Sequence, residues 1–222
     1  MRGLSFSCVP VGGGGSTVPG ELRARASRVG SLTVCFVDSD RHHESGPLGE
    51  TARRCLRELP NDLWYARLRI LGVREIENLI PTDWIRASGG DQIAASADAL
   101  QRLDDISASF FRSFADIKNG ASSCDLMNSQ NQNVRQFAIG DLRKLASTDS
   151  NIGTCHRAAS CDSGTPCFSI PALGVGLLER VASWLSETAS ASATKNLMKH
   201  ATLHPMAKSV FEWGVSLPKM RA

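Results

Sequence analysis

The chain has 222 residues, 42% hydrophobic and 21% charged, which excludes a disordered chain and allows one core or a core plus a helical lobe. A formal net charge of +3 is too small to mark a nucleic-acid binder by charge alone. No apolar stretch approaches a membrane span, and the short apolar start runs into glycines without a cleavage site. A cytoplasmic protein with no membrane partner is predicted. The seven scattered cysteines predict reduced thiols, in keeping with that compartment.

In chain order, Leu4 to Val11 reads as a strand, and Gly12 to Gly15 as a tight turn. Ser16 or Thr17 caps a helix from near Pro19 to Gly30. Leu32 to Val37 is apolar except at Thr33, as expected for a parallel strand covered on both faces. Gly49 to Leu59 reads as a helix stopped by Pro60, and Trp64 to Leu71 as a third strand. The β-α-β-α-β order predicts a parallel sheet with crossover helices. Beyond Pro81 the pattern turns helical, with apolar residues at helical spacing from Asp91 to Ala115. Ser122 to Asn133 reads as a polar loop, and Val134 to Ala146 as a helix. Residues 147–171 form a Cys-containing loop, and three helices are expected over Ala172–Ser186, Ala189–Leu203 and Pro205–Trp213. The expected organisation is an α/β domain over 1–88 and a mostly helical region over 89–222.

Asp38-Ser39-Asp40 ends the Leu32–Val37 strand. In an extended chain, residues two apart point to the same side. Two carboxylates there suit one hard divalent cation such as Mg2+ or Mn2+. The carboxyl ends of parallel strands are also where open α/β sheets gather ligands. The alternative is a turn-capping Asp38 and a solvated Asp40. His42 and His43 follow as residues that either adjoin the metal or belong to a polar loop.

The other motifs are less specific. The glycine run before Ser16-Thr17 lacks the lysine of a phosphate loop and the third glycine of a dinucleotide fingerprint. Arg74-Glu75-Ile76-Glu77-Asn78 clusters charge where the third strand delivers its loop, a pattern that an ordinary helix start also gives. Lys118-Asn119-Gly120 reads as a helix-ending turn with Gly120 as the cap. Cys155, Cys161 and Cys167, with His156, are zinc-type residues. Their spacing departs from the close Cys pairs of structural zinc sites, so thiols are the default. From Lys195 onward, three more lysines and one arginine face the single acid Glu212, a basic end able to touch phosphates.

Asp38-Ser39-Asp40-Arg41, then Arg74-Glu75-Ile76-Glu77-Asn78, then Asp116-Ile117-Lys118-Asn119-Gly120 occur in one order. Together they resemble the TOPRIM domain of the overcoming-lysogenisation-defect (OLD) family of nucleases and their relatives in phage defence. The resemblance covers roughly Leu4 to Gly120, with Asp38-Ser39-Asp40 its firmest element. It implies a partial TOPRIM-like sheet and a metal-dependent DNA endonuclease. Asp38 and Asp40 would be metal ligands, Glu77 a further ligand with a catalytic role, and Glu75 the alternative. Lys118 would assist the chemistry, and Arg41 and Arg74 would hold neighbouring phosphates. The implied partners are DNA and an ABC-type ATPase domain or subunit.

The sequence departs from the family in one respect. The TOPRIM fold opens with a strand and helix bearing a glutamate, and no such segment precedes Leu4; Glu21, on the following helix, does not replace it. The expectation is therefore a C-terminal piece, a split product or a misplaced start, with an open sheet edge prone to homo-oligomer formation. The rival function is an inactive accessory or remnant protein that binds an ATPase partner or DNA. A receiver-type phosphoryl-transfer domain also places an acid pair at a strand end, but the helical second half of the chain speaks against it.

Overall fold

The computed structural model describes residues 17–26, 33–59, 66–127, 129–148, 167–188 and 203–216. The fold is mixed α/β and mostly helical, with a small two-stranded parallel sheet. The chain divides into two compact units. The first comprises Met1–Ser39, Leu48–Leu71 and Ala191–Ala222, and the second Asp40–Pro47 and Gly72–Ser190. The boundary expected near residue 88 falls inside the second unit, within helix Thr82–Gly89.

The first unit contains α1 (Val18–Ala26), β1 (Thr33–Val37), α2 (Glu50–Glu58), β2 (Ala66–Ile70) and the late helix Leu203–Ser216. β1 and β2 are parallel, from Thr33 opposite Ala66 to Val37 opposite Ile70. α2 is the crossover between them, as parallel pairing requires. The expected first strand, Leu4–Val11, lies outside the described residues, as does the expected helix over 189–202.

α2 buries only Ala52 and Cys55, three residues apart on one face, and its five charged residues pair with one another. Arg54 pairs with Glu58, and Arg53 with Glu50 at 2.9 Å. Ala52 and Cys55 join Leu22, Val37, Leu59 and Ala66 in one core, with Cys35, Leu68 and Ile70 packed against it. The register makes this core one-sided. Thr33, Cys35 and Val37 share a face with Ala66, Leu68 and Ile70, whereas Val34 and Phe36 share the other with Arg67 and Arg69. Phe36 is 39% exposed, and both arginines are exposed. Among the described residues, the cover expected on both faces of the Leu32–Val37 run is found on one face only. The alternation of Ala66-Arg67-Leu68-Arg69-Ile70 marks a half-buried strand.

The second unit is built of helices around Ile85, Leu100, Leu103, Phe111, Ile117, Leu145 and Leu177, all fully buried. Its elements are α3 (Thr82–Gly89), α4 (Ala94–Asp105), α5 (Ser109–Phe114), α6 (Ser123–Met127), α7 (Gln132–Thr148) and α8 (Leu177–Thr188). The continuous helix expected over Asp91–Ala115 is broken in two. Ser107 takes the left-handed conformation (φ 53°) and turns the chain between α4 and α5. The buried Asp141 carboxylate then accepts the Phe111 N–H at 3.0 Å, satisfying a donor in the first turn of α5. The segment read as a polar loop from Ser122 contains α6 and the end of β3 (Ala121–Ser122), which pairs antiparallel with β4 (Ser169–Ile170).

Gly120 takes φ 91°, and a Cβ there would lie 3.1 Å from Ala172 N and 3.2 Å from the Ile170 carbonyl. Gly120→Ala is expected to lower stability by about 1–3 kcal/mol. Urea denaturation checks this, and an unchanged midpoint would contradict the backbone argument.

Burial, followed by the neighbouring Cys55, pushes the Cys35 thiol up from 9.0 to about 11. A thiol raised on folding favours the folded state below pH 9, and that contribution is lost as pH rises through 11. The unfolding midpoint should hold below pH 9 and fall between pH 9 and 11. Iodoacetamide at pH 8 should label Cys35 at least roughly tenfold more slowly than an ordinary thiol, read by peptide mass spectrometry.

Candidate active site

β1 ends at Val37, whose carbonyl accepts the Leu71 N–H at 2.9 Å. Asp38 follows, half-buried, and then the buried Ser39, whose carbonyl accepts the Gly49 N–H at 2.8 Å at the start of α2. Asp38 and Ser39 belong to the first unit, and Asp40, the next residue, to the second. Asp40 is exposed and takes φ 51°, a left-handed conformation that Asp tolerates better than most residues. The alternation rule for extended chain therefore does not carry from β1 through Asp40. The expectation that it points Asp38 and Asp40 to one side has no strand beneath it.

Within the second unit, three segments distant in sequence meet. Asp40 donates its N–H to the Arg74 carbonyl at 2.9 Å. Arg74 donates its own N–H to the Ser113 carbonyl at 2.8 Å. Its guanidinium lies 3.1 Å from Asp116 Oδ2, 3.6 Å from Glu75 Oε1 and 3.4 Å from His42 Nδ1. Desolvation, then the adjacent Arg74 charge, lowers the His42 pKa below its usual 6.5.

The 3-10 turn Ile76–Leu79 places the two glutamates differently. Glu75 caps the turn, in a reciprocal box with Asn78. Glu77 points inward, its side chain only 6% exposed, with Oε1 3.7 Å from Lys118 Nζ. Lys118 is not at a helix end as the sequence suggested. α5 stops at Phe114, and Lys118 sits in a turn closed by Asp116, whose Oδ1 accepts the Asn119 N–H at 3.0 Å. The Lys118 side chain is 37% exposed, so its ammonium reaches solvent while it pairs with Glu77.

His43 is buried and structural in its contacts. Its ring nitrogens lie 3.2 Å from Ser45 Oγ and 3.3 Å from Asn131 Nδ2, and its ring stacks on Phe137. Of the zinc-type residues, Cys155, His156 and Cys161 lie outside the described residues, and Cys167 stands beside Cys124. Among the described residues, no three His, Cys, Asp or Glu side chains gather closely enough to hold a metal ion. None of the described helices is long and apolar enough to cross a membrane.

Of the expected residues, the structure sets Glu77 beside Lys118 and Glu75 beside Arg74, joins the Asp40 backbone to Arg74, and leaves Asp38 in the other unit. In the sequence Asn78 is part of the Arg74–Asn78 motif without a role of its own, and nothing along the chain pairs Asp116 with Arg74. Asn78 is buried, accepts the Glu75 N–H at 3.0 Å and donates to the carbonyls of Arg112 and Ala115 at 3.0 and 3.1 Å. It ties the Glu75–Glu77 turn to the segment that carries Asp116 and Lys118. The only available hint was an asparagine three residues after an acid, a capping spacing too common to stand alone. Comparison of the chain with family models, curated proteins and solved structures finds no match.

Asn78→Ala strands a buried N–H and two carbonyls, and should cost about 2–4 kcal/mol. Asn78→Asp should cost at least as much, because an ionised carboxylate has no proton to donate. Chemical denaturation of both variants checks this; wild-type stability in either would contradict the assigned bonds.

Proposed function

We propose that the chain is the nuclease part of a TOPRIM-type, OLD-like defence system, cleaving DNA phosphodiesters with the help of a divalent metal. The observation that carries this reading is the convergence of Asp40, Arg74–Glu77 and Asp116–Lys118 in one unit. Those are the three segments whose order in sequence suggested the resemblance. Asp38 enters from its chain position alone, two residues before Asp40.

The residues present suit an open site rather than an enclosing one. Mg2+ commonly takes one or two carboxylates and completes its shell with water and substrate phosphate. Asp40 fits that role: its carboxylate is exposed while its backbone is pinned to Arg74. Asp38 and Asp40 would hold the ion, with Glu77, or else Glu75, as a further donor. Magnesium or manganese bound there would polarise the phosphate and ease ionisation of the attacking water.

The chain's own cations supply the rest. Lys118 offsets negative charge growing on the phosphate oxygens, and its exposure lets it leave Glu77 for a substrate. Arg74 holds Glu75 and Asp116 in place, and Arg41 meets a neighbouring phosphate without reading sequence.

A second reading has its own support. Glu75 and Asp116 both face Arg74, and Glu77 faces Lys118, so these acids are matched by the chain's own cations. That favours an accessory protein that binds DNA or an ATPase partner without cleaving.

Incubation of the full chain with supercoiled plasmid and Mg2+ or Mn2+ separates the two. The nuclease reading expects metal-dependent nicking, lost in Asp38→Ala and Asp40→Ala, and reduced roughly 100-fold in Lys118→Ala. Circular dichroism should show all three variants folded. Full activity in Asp40→Ala would sink the metal assignment. Wild-type protein that binds the plasmid but never nicks it would favour the accessory role.

A further inference from the structure

The β3–β4 ladder pairs Ala121 with Ile170 and Ser122 with Ser169. Just beyond the ladder α6 begins at Ser123, which stays tied to Phe168. Ser123 donates its N–H to the Phe168 carbonyl at 2.8 Å, and Phe168 donates its N–H to Ser123 Oγ at 2.9 Å. Cys124 Sγ lies 3.3 Å from Cys167 Sγ. Closing the sulfurs to about 2.05 Å takes roughly 1.3 Å of movement, within the reach of small χ1 rotations.

We propose that Cys124 and Cys167 are a modification site, a dithiol that a low-molecular-weight disulfide such as glutathione disulfide oxidises reversibly to an intramolecular bridge. The two thiols have different parts. Cys124 is buried at the start of α6, whereas Cys167 is more accessible and receives a hydrogen bond from the Ser123 hydroxyl at 3.4 Å. That donor stabilises negative charge on the Cys167 sulfur, which makes it the attacking group.

Cys167 loses its proton to solvent and attacks one sulfur of the small disulfide. A mixed disulfide forms and one small thiolate leaves. Cys124, deprotonated in turn, attacks the Cys167 sulfur and expels the second small thiolate. The protein loses two electrons and two protons, and the small disulfide becomes two thiols. The bridge would join residues 43 apart and close a loop that contains α7.

The test uses the full chain equilibrated in buffers of graded glutathione to glutathione-disulfide ratio, quenched with acid, alkylated and digested. The expected product is a cross-linked peptide pair containing Cys124 and Cys167. It should come with an intact mass lower by about 2 Da and revert on reduction. The oxidised form should melt roughly 5–10 °C higher. Cys124→Ser should stop at the mixed disulfide on Cys167, and Cys167→Ser should leave Cys124 unmodified. The proposal is overturned if both cysteines alkylate at every ratio, or if Cys167 bridges another cysteine such as Cys161. It is equally overturned if purified protein carries stoichiometric zinc that Cys124→Ser releases.

Discussion

The candidate site depends on one side chain, the Arg74 guanidinium. It stands between Glu75, Asp116 and His42, while its backbone takes bonds from Asp40 and gives one to Ser113. A planar cation with several donors can hold partners in different directions at once, which a lysine at the same place could not do. Its side chain is 19% exposed, so its ion pairs are partly shielded from water and bind more firmly than surface pairs. Truncating it would leave partly buried carboxylates facing one another without a counter-charge. The geometry of the whole cluster is in this sense a consequence of where one cation is anchored.

The buried amide of Asn78 does comparable work without charge. Arg74 draws the Asp116 turn toward the Glu75 turn by electrostatics, and Asn78 fixes the spacing by hydrogen-bond direction. Lys118 and Glu77 then face each other at the end of this frame. Lys118 is held by a turn rather than a helix, so it keeps the freedom of an exposed ammonium on a fixed backbone.

Elements whose signals are local were legible in the sequence. α1, β1, α2, β2 and α7 fall close to where caps, prolines and apolar spacing put them. What failed depended on distance or on backbone sign. A helical period cannot register the left-handed Ser107, so α4 and α5 read as one helix. α3 does not stand out within the generally helical pattern beyond Pro81, although proline followed by Thr and Asp opens helices. The one-sided sheet was readable in the alternating arginines of β2, yet the apolar run of β1 outweighed it. Of the site, residue types were visible, but the Arg74–Asp116 contact spans 42 positions and no pattern along one chain reveals it.

The interleaving of the two units has a consequence for the order in which the protein acquires its structure. The second unit is nearly continuous from Gly72 to Ser190, whereas the first is assembled from three stretches that include Ala191–Ala222. During synthesis the chain reaches Ser190 before the last stretch of the first unit exists. The second unit can therefore be complete on the ribosome while the first still awaits its last stretch.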